Sequence, residues 1–297
     1  MAFTETANSD VELVLDARAA LGEGPLWDGR AQRLYWVDIT AKRVHRFDPA
    51  TGLDEAFDAG QPVGALGLRE AGDLVLAVEK GFALLDPDAG EPRMLAAVEQ
   101  DDPGTRMNDG ACDAAGRFWA GTMAYDSRPG GGNLYRLDPD GTVARVIAAC
   151  SISNGLDWSH DGRVLYYIDS PTQAIDAFDF EVRRGELGER HRVVEIPAEE
   201  GMPDGMTVDA EGFIWVALWG GGCVRRYHPD GRLDRLLRLP VSQVTSCTFG
   251  GPDLGDLYIT TAAHQLPAER LRREPHAGGL FRHRPGVRGR PAHRFGG

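Results

Sequence analysis

No run of apolar residues in this chain approaches the roughly 20 needed to span a bilayer as a helix, and its polar, acidic N-terminus carries no hydrophobic leader segment. The expectation is a cytoplasmic protein without a membrane partner. Cysteine is scarce: Cys112, Cys150, Cys223 and Cys247 form no CxxC pair, so neither a zinc ribbon nor a redox dithiol is on offer. Four isolated thiols in or near strand-like segments read as buried and reduced, not as a disulfide frame. The eight histidines are scattered without HExxH spacing, which removes the zinc-protease motif. A Walker loop, a GxSxG elbow and a GxGxxG between strand and helix are all missing. Gly130–Gly132 and Gly220–Gly222 lie beside strand-like segments and read as turns. Positive charge is short as well, the net charge being −13, which argues against nucleic acid as a partner. Helical periodicity is almost absent; the best candidate is a short run from Ala268 to Arg273, halted before Pro275.

What the chain has instead is repetition. A β-branched and aromatic segment recurs as Leu34–Asp38, Leu74–Val78, Phe118–Thr122, Leu165–Asp169, Ile214–Leu218 and Leu257–Thr261. A second segment follows each copy, at Val44–Pro49, Phe82–Pro87, Leu134–Pro139, Ile175–Asp179, Val224–Pro229 and Leu280–Pro285. Several of these alternate apolar and polar residues, and many end in Asp-Pro or a related turn signal. Six units at a spacing of roughly 40 to 50 residues predict an all-β, six-bladed β-propeller, an architecture that leaves only short sheet edges. The whole chain, 1–297, reads as one domain with its core at about 11–285 and a tail at 286–297. Val11–Leu15 is expected to pair into the last blade and close the ring. The Arg- and Pro-rich tail reads as a solvated or frayed terminus.

A third recurrence carries the chemistry. Glu23-Gly24-Pro25-Leu26-Trp27-Asp28, Asn108-Asp109-Gly110-Ala111-Cys112-Asp113, Asn154-Gly155-Leu156-Asp157-Trp158-Ser159 and Asp204-Gly205-Met206-Thr207-Val208-Asp209 align on the closing Asp or Ser. Each places Glu, Asn, Asn or Asp five positions earlier. Around a common axis these side chains would converge, and their oxygens would suit a hard divalent cation in a central channel. Trp36, Trp119 and Trp215 occupy equivalent places and read as core, while Asp38, Asp157 and Asp169 near strand ends read as loop holders.

Further motifs stand in order along the chain: Gly22-Glu23-Gly24-Pro25, Arg106-Met107-Asn108-Asp109-Gly110, Gly121-Thr122-Met123, Ser153–Ser159, Tyr166–Ser170, Pro203–Met206 and Thr245–Gly251. Together they resemble the SMP-30/gluconolactonase/LRE family of regucalcin-like sugar lactonases, over about residues 15 to 285. The resemblance implies one divalent ion (Ca²⁺, Zn²⁺, Mn²⁺ or Mg²⁺) held by Glu23, Asn154 and Asp204, with substrate contacts from Arg106 and Asn108. It implies hydrolysis of a small sugar lactone such as gluconolactone to its aldonic acid, with the metal as Lewis acid and Asp204 as general base. Where the family often carries a Glu shortly after Gly-Thr-Met, this chain has Ala124-Tyr125-Asp126, which points to a differently shaped pocket. Two other functions fit the same scaffold: a non-enzymatic calcium-binding or regulatory propeller, and a metal-dependent esterase or phosphotriesterase. Oligomeric state is left open.

Overall fold

The computed structural model describes residues 4–6 and 10–297. Six sheets, each with four antiparallel strands and two of them extended by a short parallel strand from a chain end, follow one another as the blades of a six-bladed propeller. Their innermost strands are Gly22–Asp28, Val63–Arg69, Thr105–Cys112, Ser153–Trp158, Met202–Val208 and Val244–Gly250 for blades 1 to 6. The second strands (Arg33–Asp38, Leu74–Val78, Phe118–Ala124, Val164–Asp169, Ile214–Trp219 and Asp256–Thr261) contain the first recurrent segment, and the third strands begin within or beside the second. Blade 6 takes its fourth strand from the N-terminus: Glu12–Leu15 pairs antiparallel with Leu280–His283, the closure expected from the sequence. The short helix also forms, as Ala268–Arg273, in the connection between the second and third strands of blade 6.

The hydrophobic core is distributed between blades, with one cluster of buried side chains at each of the six junctions. Trp27, Leu34 and Trp36 of blade 1 meet Tyr258 and Leu280 of blade 6. Trp119 and Leu134 of blade 3 meet Trp158 and Tyr167 of blade 4, and the remaining four junctions are built alike. Strands packed on both faces need apolar residues on both, which is why the second strands read as continuous apolar runs. Cys112, Cys150, Cys223 and Cys247 are buried and free. No helix among the described residues is long and apolar enough to cross a membrane.

The tail corrects the sequence reading. It does not fray; it crosses the face of the propeller on which the innermost strands end. Gly289 N donates to Leu254 O (2.8 Å), Ala210 N to Arg288 O (2.9 Å) and Gly296 N to Gly116 O (2.9 Å). Arg294–Phe295 adds a short parallel strand to Leu68–Arg69 of blade 2, and the Phe295 ring is fully buried. The tail's arginines find carboxylates and carbonyls at strand ends distant in sequence, which local composition does not reveal.

Candidate active site

Every innermost strand breaks register with its neighbour at the same place. The bulges fall between Glu23 and Leu26, Val63 and Ala65, Met107 and Gly110, Asn154 and Leu156, Pro203 and Met206, and Val244 and Ser246. A bulge kinks the strand and re-aims a side chain; here it lies at the aligned polar position in all six blades. Four blades fill that position with Glu23, Asn108, Asn154 and Asp204. Blade 2 has Gly64, where a Cβ would lie 2.3 Å from Asn108 O. Blade 6 has Thr245, whose hydroxyl contacts Gly22 O (2.6 Å) and Thr260 Oγ1 (2.8 Å). The glycine after the polar residue has a steric cause. A Cβ on Gly155 would stand 2.6 Å from Asp204 O, and one on Gly205 would stand 2.1 Å from Ser246 Oγ. In blades 4 and 5 the adjacent inner strands leave no room for a side chain at this position, whereas a Cβ on Gly24, whose φ is 51°, would meet nothing closer than 3.7 Å, and blade 3 carries Asp109 there.

All five residues picked out in the sequence come together here, each less than a tenth exposed. Arg106 Nη1 donates to Asn108 Oδ1 (2.8 Å) and to Met107 O (2.9 Å). Asn108 Nδ2 donates to Asn154 Oδ1 (2.9 Å) and Ser153 O (2.8 Å). Asn154 Nδ2 in turn donates to Ser170 Oγ (2.7 Å), whose own proton goes to Pro203 O (2.7 Å). Because the Ser170 hydroxyl spends its proton on Pro203, its oxygen can only accept from Asn154. That fixes which end of the Asn154 amide is the acceptor, Oδ1, which keeps one lone pair beyond the Asn108 bond, an outer-shell orientation of the kind that tunes metal ligands.

Electrostatically the site is a set of buried acids with one cation. Glu23 has its carboxyl pushed up to about 8, first by burial and then by the Asp109 carboxylate, against smaller opposing effects of the Gly24 N–H and Arg106. Asp109 is pushed to about 6 by burial, with the Gly110 N–H pulling the other way. Asp204 is raised well above the ordinary carboxylate range by burial, then by Glu23 and Asp109, with only Arg106 opposing. Burial lowers Arg106, while Tyr125, Glu23, Asp204 and Glu79 favour its charge. Two acidic oxygen donors with little protein compensation, beside an oriented amide oxygen, are a poor resting arrangement for bare charge and a fitting one for a hard dication. Among the described residues no group of three or more His, Cys, Asp or Glu is arranged to hold a metal; the donor set that fits is Glu23 and Asp204 with the amide oxygen of Asn154.

Sequence reasoning missed three participants. Asp109 stands inside the aligned motif, yet its charge on Glu23 and Asp204 appears only in three dimensions. Ser170 closes the Tyr166–Ser170 motif and acts across a blade junction. Glu79, from blade 2, accepts the Tyr125 hydroxyl (2.5 Å) near Arg106. Tyr125 is half exposed, so this pair forms part of the rim. Asp126 faces elsewhere, accepting from Arg128 N and Arg128 Nη1 at 3.2 Å each. Asp38 and Asp169 do hold loops, accepting from the Ala20 and Leu21 amides and from the Ser151 and Ile152 amides. Trp36, Trp119 and Trp215 are core.

The family model described as SMP-30/Gluconolactonase/LRE-like region matches residues 21–263. Regucalcin of Gallus gallus is 41% identical over 294 residues, covering 97% of this chain and 98% of that protein. The structure of a calcium-binding protein, regucalcin, from Agrobacterium tumefaciens superposes with a TM-score of 0.93 at 29% identity, covering 99% of each chain. A luciferin-regenerating enzyme superposes with a TM-score of 0.89 at 30% identity, covering 96% of this chain and 99% of that one.

Proposed function

The chain belongs to the SMP-30/gluconolactonase/LRE-like family, and from that premise we propose that it is a divalent-metal-dependent lactonase opening a small sugar lactone to the aldonic acid. The observation that carries this reading is the pairing of buried, under-compensated carboxylates, Glu23 and Asp204, with a buried guanidinium, Arg106, held by Asn108. Glu23, Asn154 and Asp204 would hold the ion, which when bound supplies a Lewis acid for the lactone carbonyl. Asp204 takes a proton from the attacking water as its oxygen bonds to the carbonyl carbon. When the ring C–O bond breaks, that proton passes to the departing ring oxygen, leaving a hydroxy acid. Arg106 faces the developing negative charge or the sugar hydroxyls, and Asn108 fixes the guanidinium by accepting from Nη1. A binding protein alone has no use for a cation fixed beside the ion's ligands, and this favours turnover over calcium binding by itself.

The test is hydrolysis of a panel of five- and six-membered aldonolactones, followed by proton release above the spontaneous rate. EDTA-stripped protein is compared with protein restored with Ca²⁺, Mn²⁺, Zn²⁺ or Mg²⁺. Metal-dependent opening of one lactone supports the proposal. Metal binding without turnover of any lactone would move the reading to another ester or phosphotriester, or to calcium binding alone.

A pH dependence follows from the buried acids. Glu23, normally near 4.5, is raised to about 8 in the folded, metal-free protein, so between these values the folded state holds a proton that the unfolded chain has released. By linkage this contribution to stability falls as pH rises from about 4.5 to 8. A bound dication removes the penalty by stabilising the ionised form. The rise in melting temperature on adding Ca²⁺ or Mn²⁺ is therefore expected to be larger at pH 8 than at pH 6, and Glu23→Gln should flatten the difference. Differential scanning fluorimetry at saturating metal checks it, and an equal rise at both pH values in the unmodified protein would count against Glu23 as a ligand.

A further inference from the structure

The basic tail is the largest feature the lactonase reading leaves unused. It touches all six blades: blades 6, 5 and 3 through the backbone contacts of Arg288, Gly289 and Gly296, blade 2 through Arg294–Phe295, blade 1 through Arg294 on Asp28 (2.5 Å), and blade 4 through Arg290. Behind the candidate site lies a cavity of about 110 Å³. Its wall includes Asp109, Asp157 and Ser246, and Arg290–His293 of the tail closes it on the side away from Glu23 and Asp204.

Arg290 differs from the other tail arginines in what it joins. Its guanidinium donates to Asp157 Oδ1 (3.0 Å) and Trp158 O (2.7 Å) through Nη2, to Ser159 O (3.3 Å) through Nη1, and to Val208 O (3.1 Å) through Nε. Asp157 completes the link across the junction, because Val208 N donates to its Oδ2 (2.7 Å). Blades 4 and 5 are thus tied together three residues after Asn154 and four residues after Asp204, on the same two innermost strands. Three to four residues of strand span only about 10–13 Å, so an opening at this end is transmitted to the ligand end. Metal affinity is sensitive to ligand placement on the scale of a few tenths of an ångström.

We propose that Arg290 is a positioning residue for the metal site, setting the separation of Asn154 and Asp204 by latching the ends of the strands that carry them. The inference rests on the metal reading of the preceding section.

The test is Mn²⁺ binding to EDTA-stripped protein, by calorimetry and by electron paramagnetic resonance of the bound ion. Arg290→Ala is expected to weaken Mn²⁺ binding about tenfold, the lower end of what outer-shell substitutions cost, and to broaden the bound-ion spectrum. Millimolar guanidinium should restore part of the affinity, and Arg290→Lys should retain more than Ala. Arg294→Ala is the control: it loosens the same tail where it joins blade 1 to ligand-free blade 2, and should lower the melting temperature with less than a twofold change in Mn²⁺ affinity. If circular dichroism shows Arg290→Ala to be unfolded, Arg290→Gln, which keeps a donor for Trp158 O, replaces it. Wild-type Mn²⁺ affinity and spectrum in the Arg290 variant, or equal losses in both variants tracking melting temperature, would overturn the latch while leaving the metal site standing. Failure of the unmodified stripped protein to bind Mn²⁺, Ca²⁺ or Zn²⁺ would overturn the metal reading and the latch with it.

Discussion

Asp204→Asn is expected to lower kcat for lactone opening by about 10²–10⁴-fold, the range a positioned general base supplies, while the metal-free protein melts at the same temperature or higher. The two halves of this expectation have one cause. The Asp204 carboxyl is buried, is pushed upward by burial and by Glu23 and Asp109, and has only Arg106 as compensation. An amide of the same shape removes the repulsion and asks nothing new of the backbone, so the fold gains or holds. The same change removes the proton acceptor and one anionic ligand, so turnover and metal affinity both fall. Steady-state kinetics at saturating metal, beside a melting curve of the stripped protein, reads both. A variant that keeps near-normal kcat on a true substrate removes Asp204 as the base; one that unfolds when stripped contradicts the electrostatic account. Asn154→Ala should differ, losing affinity while retaining more of kcat at high metal, because its amide is a ligand with no proton to carry.

Much of this site could be read from the sequence because the repeat and the chemistry share one register. The polar position five residues before the closing Asp or Ser coincides with the bulge, and the bulge recurs in every blade. Glu23, Asn108, Asn154 and Asp204 therefore announced themselves by alignment alone. The two blades without an acid or amide there, with Gly64 and Thr245, were invisible to a search for recurring carboxylates and amides. Their roles are steric and capping: Gly64 leaves room for the backbone at Asn108, and Thr245 holds the Gly22 carbonyl. The fold was legible for a related reason. Burial between blades demands apolar runs on second strands, and their even spacing is a one-dimensional trace of rotational repetition.

The tail was illegible because its stabilisation is wholly non-local. A stretch rich in Arg, Pro and Gly has the composition of a disordered end, and nothing near it in sequence supplies a partner. Its partners are strand-end groups such as Asp28, Asp157, Trp158 O and Arg69 O, brought to one face only by completion of the ring. Asp109 failed to register for a different reason. A carboxylate beside a turn glycine is ordinary in a sequence, and only its charge acting on Glu23 and Asp204 makes this half-buried group part of the site's charge balance.

The closing residue of the repeat carries the largest stability prediction. Asp113 is fully buried and accepts four hydrogen bonds: from Ala115 N (2.9 Å), Arg117 N (3.0 Å), Trp119 Nε1 (2.9 Å) and Arg117 Nε (2.5 Å). Arg117 is itself buried and reaches across the junction to Val182 O (2.6 Å) in blade 4, with Asp113 its one paired carboxylate among the described residues. Removing that carboxylate strands a guanidinium and an indole N–H inside the blade 3–blade 4 junction, and breaking one side of a buried ion pair costs about 3–5 kcal/mol. At about 2–4 °C per kcal/mol for a chain of this class, Asp113→Ala should melt about 6–20 °C below the parent. Asp209 has the same design in blade 5, accepting from Phe213 N, Trp215 Nε1 and Arg226 Nε. Its Arg226, however, keeps Asp234 (2.7 Å) and Glu211 (2.5 Å), so Asp209→Ala should cost less than Asp113→Ala. Lactone turnover at low temperature should stay within about twofold in both variants, since neither residue faces the metal and substrate groups. Thermal and urea denaturation of the pair decides it: equal losses, or a shift under 2 °C for Asp113→Ala, would mean that the closing acid is not the keystone of the blade junction.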